Sequence, residues 1–369
     1  MEPIYIESAN IQLLEDQLKN LEADNKVQSL LFLMADQNKY SHEMLVSVFH
    51  DLIKPVIGGI FPELIYKGER KNSGVLIIPL DFKLKTQLFN LSHAPADFLG
   101  ELANVHNESM ETSSVVFVFT DALSNNKESF IESLFNFFGI NPTYIGGGAG
   151  SLRFQEFPCV INNAGIHLNA AVIGWARKKV ALGVAHGWQS ISEPLKVTRA
   201  TDNRVISINW RPAFEVYKEI VEPHSGMEFQ ENNFFEIAKS YPLGIAKIDA
   251  EMVVRDPFLE KDNMLYFVDA VKEGEYVEIL HGNLQSLLLG AANAREIAML
   301  KFGNRGRVAS VFCIDCISRV LFMQDSFEEE LKVVGKNADV YGVLTIGEIA
   351  NAEESFLEIY NKTIVIGIW

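Results

Sequence analysis

The residues best equipped for chemistry fall in four short runs. Cys313-Ile-Asp-Cys316 has the spacing of a redox pair or of part of a zinc site. Zinc needs about four ligands, and the one other cysteine is Cys159. A redox pair wants its thiol at a helix N-terminus, whereas Cys313 lies inside an apolar run. The expectation is a core Cys313, with Cys316 and Arg319 just past the run and facing a pocket. Gly146-Gly-Gly-Ala-Gly-Ser151 allows a ligand to approach main-chain N–H groups. It has neither a dinucleotide fingerprint nor the Gly-Lys-Ser/Thr of a phosphate loop. Two readings stay open: small-ligand contacts at Gly147, Gly148 and Ser151, or a tight strand-to-turn connection. His186-Gly-Trp188 ends a strand, with His186 suited to a ligand or a metal and Trp188 to an apolar pocket floor. Thr345-Ile-Gly-Glu348 adds a hydroxyl and a carboxylate. Arg153, Arg199, Arg255 and Arg319 are the guanidiniums able to grip a carboxylate at two points. Neither His-x-x-x-His nor Gly-x-Ser-x-Gly occurs, so a catalytic zinc site or a serine elbow is not expected.

These runs sit at the ends of a pattern that appears three times. An apolar stretch ends in an acid, a helical stretch follows, and a second apolar stretch ends near Ile-Gly. The acids are Asp36, Asp121 and Asp315, and the Ile-Gly steps are Ile57-Gly58, Ile145-Gly146 and Ile346-Gly347. Such units build open α/β sheets whose strand ends bind ligands. The acids serve either as a carboxylate cluster or as partners of turn amides.

The elements that carry the pattern follow from apolar periodicity. Helices are expected at 8–22, 41–53, 97–105, 127–138, 212–220 and 283–302. Strands are expected at 28–34, 75–80, 180–186 and 363–368. Alternation over 166–172 followed by 180–186 predicts an antiparallel hairpin, and 195–200 with 204–208 predicts another. Meander strands are expected at 244–248, 252–255, 264–268 and 276–280. Glu222-Pro-His-Ser-Gly226 reads as the linker. The fold class is mixed α/β (α+β): two related domains, each a mixed sheet with βαβ units plus an antiparallel meander, flanked by helices. Their bounds are an N-terminal helix at 1–27, then domains at 28–224 and 225–369.

With 32 basic and 48 acidic residues, the net charge is −16. That sign disfavours nucleic-acid backbones and anionic membranes. Three cysteines make no disulfide framework and fit a reducing compartment. No stretch approaches the uncharged apolar length of a membrane span, and the N-terminus has no basic, then apolar, leader pattern. A cytoplasmic protein is expected.

Several segments together resemble the FIST sensory domain. Tyr144-Ile-Gly-Gly-Gly-Ala-Gly-Ser151, His186-Gly-Trp188 with Pro194 and Val197-Thr-Arg199, and Asn209-Trp-Arg-Pro-Ala213 resemble its N-terminal half. Tyr241-Pro-Leu-Gly244, Val254-Arg-Asp-Pro257, Cys316-Ile-Ser-Arg319, Thr345-Ile-Gly-Glu348 and Tyr360-Asn-Lys-Thr363 resemble its C-terminal half. The matches run in order over about residues 28–369. The resemblance implies a module that senses a small molecule, with amino acids a suggested class, and that is often joined to kinase, cyclase or chemotaxis outputs. Some relatives are haem-based nitric-oxide sensors, which would make His186 the first axial candidate. No cofactor is otherwise expected. The chain length leaves no space for an output domain, so the expected partner is a separate signalling protein such as a kinase or cyclase.

Two readings of the pocket follow. In the first, a ligand sits in a cleft between the halves, lined by Gly147, Gly148, Ser151, His186, Trp188, Arg199, Cys316, Arg319, Thr345 and Glu348. Arg319 would grip an amino acid's carboxylate and Glu348 its ammonium. In the second, an enzyme uses Cys316 as nucleophile or Glu348 as base on a small metabolite.

Overall fold

The computed structural model describes the chain apart from residues 8–9, 39, 41, 106–113, 248–250, 304–307 and 353–355. Three stretches of it fold alike. The first is β1 (Ile4–Ile6), α1 (Ile11–Ala23), β2 (Ser29–Ala35), α2 (His42–His50), β3 (Val56–Phe61), β4 (Glu63–Tyr66), β5 (Glu69–Lys71) and β6 (Val75–Leu80). The second is β7 (Lys85–Asn90), α3 (Pro95–Val105), β8 (Val115–Asp121), α4 (Lys127–Phe138), β9 (Thr143–Ala149), β10 (Val160–Asn162), β11 (Gly165–His167) and β12 (Ala170–Ala176).

The third opens with β13 (Ala181–Ala185) and is then interrupted. The inserted segment holds β14 (Gln189–Ser190), β15 (Leu195–Thr201), β16 (Arg204–Ile208), β17 (Arg211–Pro212), α5 (Ala213–Ser225) and α6 (Phe234–Ala238). It continues through β18 (Leu243–Ile245), β19 (Val253–Arg255), β20 (Pro257–Lys261), β21 (Met264–Phe267) and β22 (Tyr276–His281). The third stretch resumes with α7 (Leu284–Phe302), β23 (Ser310–Cys316), α8 (Ile317–Met323), α9 (Phe327–Gly335), β24 (Asp339–Thr345), β25 (Glu348–Asn351), β26 (Leu357–Tyr360) and β27 (Ile364–Ile368).

Each stretch builds four strands of one sheet and lends a hairpin to another. The orders are β1-β6-β2-β3-β10-β11, β7-β12-β8-β9-β25-β26 and β13-β27-β23-β24-β4-β5. In every sheet the third and fourth strands are parallel and their other neighbours antiparallel. The hairpins pass in a cycle, so each sheet needs two stretches to be complete. β3, β9 and β24 pack against one another where the sheets meet. Their apolar runs are buried along the whole length of β2, β8 and β27, as strands covered on both faces must be. The insertion forms a fourth, nine-stranded sheet, β19-β18-β22-β15-β16-β21-β20 with β14 and β17 beside it.

The mixed α/β class is as expected. The β15–β16 hairpin forms as predicted. The one expected between residues 166–172 and 180–186 does not: β12 lies between β7 and β8, while β13 pairs with β27 in a different sheet. Their short separation is a boundary between repeats, not a turn. The Glu222–Gly226 segment is the last turn of α5, closed by a left-handed Gly226, with Pro223 inside the helix. Among the described residues, no helix is long and apolar enough to cross a membrane.

The three acids are not at matching positions. Gly58, Gly146 and Gly342 pair with Phe32, Val118 and Cys313 in the parallel ladders. A Cβ at each glycine would lie within 1.8 Å of its partner's carbonyl oxygen, which marks the three as equivalent. The counterpart of Ile57-Gly58 is therefore Tyr341-Gly342, and Ile346-Gly347 belongs to the turn after β24. Asp36, Asp121 and Asp315 stand four, three and two residues past those partners. Side chains reverse face at each step of a strand, so the stagger sends the acids to different surroundings. Asp36 Oδ2 accepts from Ser151 Oγ (2.5 Å). Asp121 accepts from the Leu123 and Asn169 N–H groups. Asp315 Oδ1 accepts from the Cys316 N–H.

Candidate functional site

The glycine corners do meet, and they close on one another. Gly148 N–H donates to Gly347 O (2.8 Å), Ile346 N–H to Gly148 O (3.0 Å) and Gly150 N–H to Ile60 O (2.8 Å). A Cβ at Gly147 would lie 2.6 Å from Thr345 Cγ2, and one at Gly148 2.2 Å from Ile346 O. These glycines admit neighbouring backbone. Ser151 is buried on Asp36, with the Arg153 N–H also on its Oγ.

Behind the corners Cys316, Arg319, Thr345 and Glu348 come together, each at most 2% exposed. All five N–H bonds of Arg319 are used. Nε and Nη2 donate to the two oxygens of Glu330. Nη1 donates to His186 O (2.6 Å) and Lys362 O (3.2 Å), and Nη2 also to Leu287 O (3.2 Å). Asp315 Oδ1 lies 3.3 Å from Nε. The guanidinium thus binds the protein's own carboxylates and carbonyls rather than a ligand's carboxylate. Glu348 accepts from Thr345 Oγ1 (2.8 Å) and Thr363 N–H (3.3 Å). Burial pushes its pKa up to about 8, so the acid is mostly protonated at neutral pH. Burial, then the Glu348 carboxyl beside it, pushes the Cys316 thiol far up. Cys316 is therefore a thiol and not the thiolate that nucleophilic chemistry requires. Arg199 is exposed on β15. Arg255 is buried, with its donors on the Ala270, Val254 and Ile359 carbonyls.

His186 and Trp188 have a different setting. They line an open groove of about 590 Å³ between the turn after β13, the Glu251–Met252 loop and one face of α7. Two glycines seat the turn on the helix. Gly187 is left-handed (φ 81°), and a Cβ there would lie 2.2 Å from Ser286 O. A Cβ at Gly290 would lie 2.6 Å from Gly187 N. The helix itself is started by a capping box between Asn283 and Ser286. Trp188 Nε1–H donates to Lys362 O (3.1 Å), and Lys362 Nζ lies over the indole ring at 5.1 Å.

The His186 ring is 4% exposed. Its Nδ1 accepts the Trp188 N–H (2.8 Å), which puts the ring proton on Nε2. Nε2 stands 3.2 Å from Glu251 Oε1 but is misaligned, and makes no hydrogen bond. Burial, reinforced by the Arg319 charge, lowers the His186 pKa to about 3, so the ring is neutral. Glu251 Oε1 accepts the His186 main-chain N–H (3.2 Å), and burial raises the pKa of this carboxyl.

The groove therefore holds two of the expected site residues, and Cys316, Arg319, Thr345 and Glu348 form a sealed cluster behind it. Glu251, Asn293 and Glu296 also line it, and nothing in the sequence marks them. Glu251 lies in a loop, and Asn293 and Glu296 read as an ordinary solvated helix face. His186 does not suit an axial role towards haem. Ligation needs a lone pair on Nε2, yet moving the proton to Nδ1 would set it against the Trp188 N–H. Among the described residues, no three His, Cys, Asp or Glu side chains are placed to hold a metal ion.

Two family models match the chain in succession. The FIST N domain model matches residues 17–211, through the first two repeats and into the insertion. The FIST C domain model matches 213–351, from the start of α5 into β25. No curated protein matches the chain. Two successive family matches over most of its length show that the chain belongs to the FIST family of sensory signal-transduction domains.

Proposed function

We propose that this protein senses a small polar metabolite in the groove between α7 and the His186–Trp188 turn. One observation carries the reading: the Nε2–H of His186 is buried, unpartnered and set in the wall of an open groove. An unmade buried hydrogen bond costs about 1–3 kcal/mol, which a ligand acceptor would recover. The groove's volume of about 590 Å³ lies within the range of ordinary small-molecule sites.

Occupancy has a physical route into the fold. The carbonyls of His186 and Leu287, one on each wall, both accept from Arg319 on α8. A ligand that shifts His186 acts on the anchor of that helix. The α8–α9 segment is the proposed output, read by a separate signalling protein such as a kinase or cyclase. The proposed compartment is the cytoplasm, in keeping with three cysteines that are all free and buried.

Native mass spectrometry of freshly purified protein is the first test, with a retained small molecule as the expected result. Asn293→Trp would fill the groove from the helix side without entering the core. It should abolish ligand retention and leave the melting temperature unchanged. Retention that survives this substitution would move the ligand site elsewhere.

A further inference from the structure

We infer that the ligand of this groove is an organic cation: an ammonium-bearing molecule that has a neutral oxygen acceptor and no carboxylate, such as an amino alcohol. This rests on the sensor reading above and adds the ligand's charge. The charged side chains that line the groove are Glu251 on the loop and Glu296 on α7, and no lysine or arginine lines it among the described residues. The third ionisable group, His186, is neutral and carries its proton on Nε2.

Two cations behind the groove are committed elsewhere. Arg319 has all five N–H bonds filled by Glu330 and three main-chain carbonyls. Lys362 Nζ is taken by Asp256 (3.1 Å) and Lys239 O (3.0 Å). Glu251 is left with the main-chain N–H of His186. Its carboxyl is shifted by burial and is not drawn down by a neighbouring cation. A carboxylate entering the groove would meet two carboxylates and no positive charge. An ammonium would meet both with the right sign. His186 lines the same space and its buried Nε2–H has no hydrogen-bond partner, so the ligand also offers a hydroxyl or a carbonyl oxygen. Its cationic nitrogen belongs near Glu251, and its neutral acceptor near His186.

The test uses matched probes that differ by one carboxylate and keep a hydroxyl: 2-aminoethanol against serine, 1-amino-2-propanol against threonine, and tyramine against tyrosine. Each is titrated calorimetrically into the full chain at one ionic strength. In at least one pair, the amine should bind tenfold or more tightly than its amino acid. Glu251→Gln should weaken that amine at least tenfold. Glu296→Gln, on the exposed helix face, serves as the second variant if Glu251→Gln does not fold. Amino acids that bind while the amines do not would overturn the inference. If Asn293→Trp abolished that amino-acid binding, the sensor reading would stand without it. No binding by any of the three amines also overturns it, as does a retained anionic ligand. Binding that survives Asn293→Trp removes the sensor reading itself.

Discussion

The sealed cluster around Arg319 and the open groove beside His186 are adjacent and built from similar residue types, yet they have opposite chemistry. In the cluster every donor of Arg319 is matched inside the protein, and the acids around it are fully enclosed, Asp315 Oδ2 being the one cluster oxygen with no hydrogen-bond partner and sealed from any visitor. In the groove a buried donor is left unmatched beside a carboxyl that has no cation. Satisfied buried charge holds elements together and is unavailable to visitors. A buried donor left unsatisfied in a groove wall is matched when a ligand brings it an acceptor. The two regions share His186, whose carbonyl belongs to the cluster and whose ring belongs to the groove.

This contrast can be broken or sharpened by substitution. The largest effect is expected at Arg319. Arg319→Met strands the buried Glu330 carboxylate without its cation and should cost about 3–5 kcal/mol of stability, read by chemical denaturation. Arg319→Lys should rescue little, because a point charge cannot reach acceptors spread over a planar fork. Tolerance of either substitution would mean that the cluster is not what ties α8 to the core.

Next comes Glu348. Its folded pKa of about 8 lies above the ordinary 4.5, so the fold prefers the protonated form. That preference contributes fully below about pH 4.5 and is lost as pH rises towards 8. Glu348→Gln keeps the neutral form at every pH. Wild type should therefore lose stability relative to the variant between pH 5 and 8, on the order of 3 kcal/mol over the window. Parallel melting curves for the two proteins would show an ionised Glu348 instead.

A smaller cost is expected where the corners meet. Gly148→Ala sets a methyl against the Ile346 carbonyl and should cost about 1–3 kcal/mol. Thermal unfolding measures it, and an unchanged melting temperature would mean that space for a ligand exists there after all. The least perturbing check leaves the protein intact. Nitrogen chemical shifts of His186 should report a neutral ring with its proton on Nε2 down to about pH 4, and an Nδ1–H tautomer would reopen the metal-ligand role.

Long elements were legible in the sequence because their apolar period is strong over many residues. The strand Val75–Leu80 and the helix Lys127–Phe138 have the expected ends, with Gly139 just past the helix. The helix after Asn283 starts on its expected polar residue. The lent hairpins β4–β5 and β25–β26 were not legible. Their strands are three or four residues long, too short to show a period, and their partners lie in a distant part of the chain. The same limit explains the misassigned pairing of β12 with β13: proximity in sequence suggests a hairpin, and only the sheets reveal the start of a new repeat.

The sequence by itself determined the repeating apolar runs, the family and the strand-end position of His186-Gly-Trp188, because each is written in neighbouring residues. Only the tertiary structure decided which polar residues meet solvent. Arg319 and Glu348 look as available as His186 on paper. Whether a charged side chain is matched within the fold or left facing an opening depends on carbonyls and carboxylates brought from remote segments, and that matching is what separates a structural clamp from a binding site.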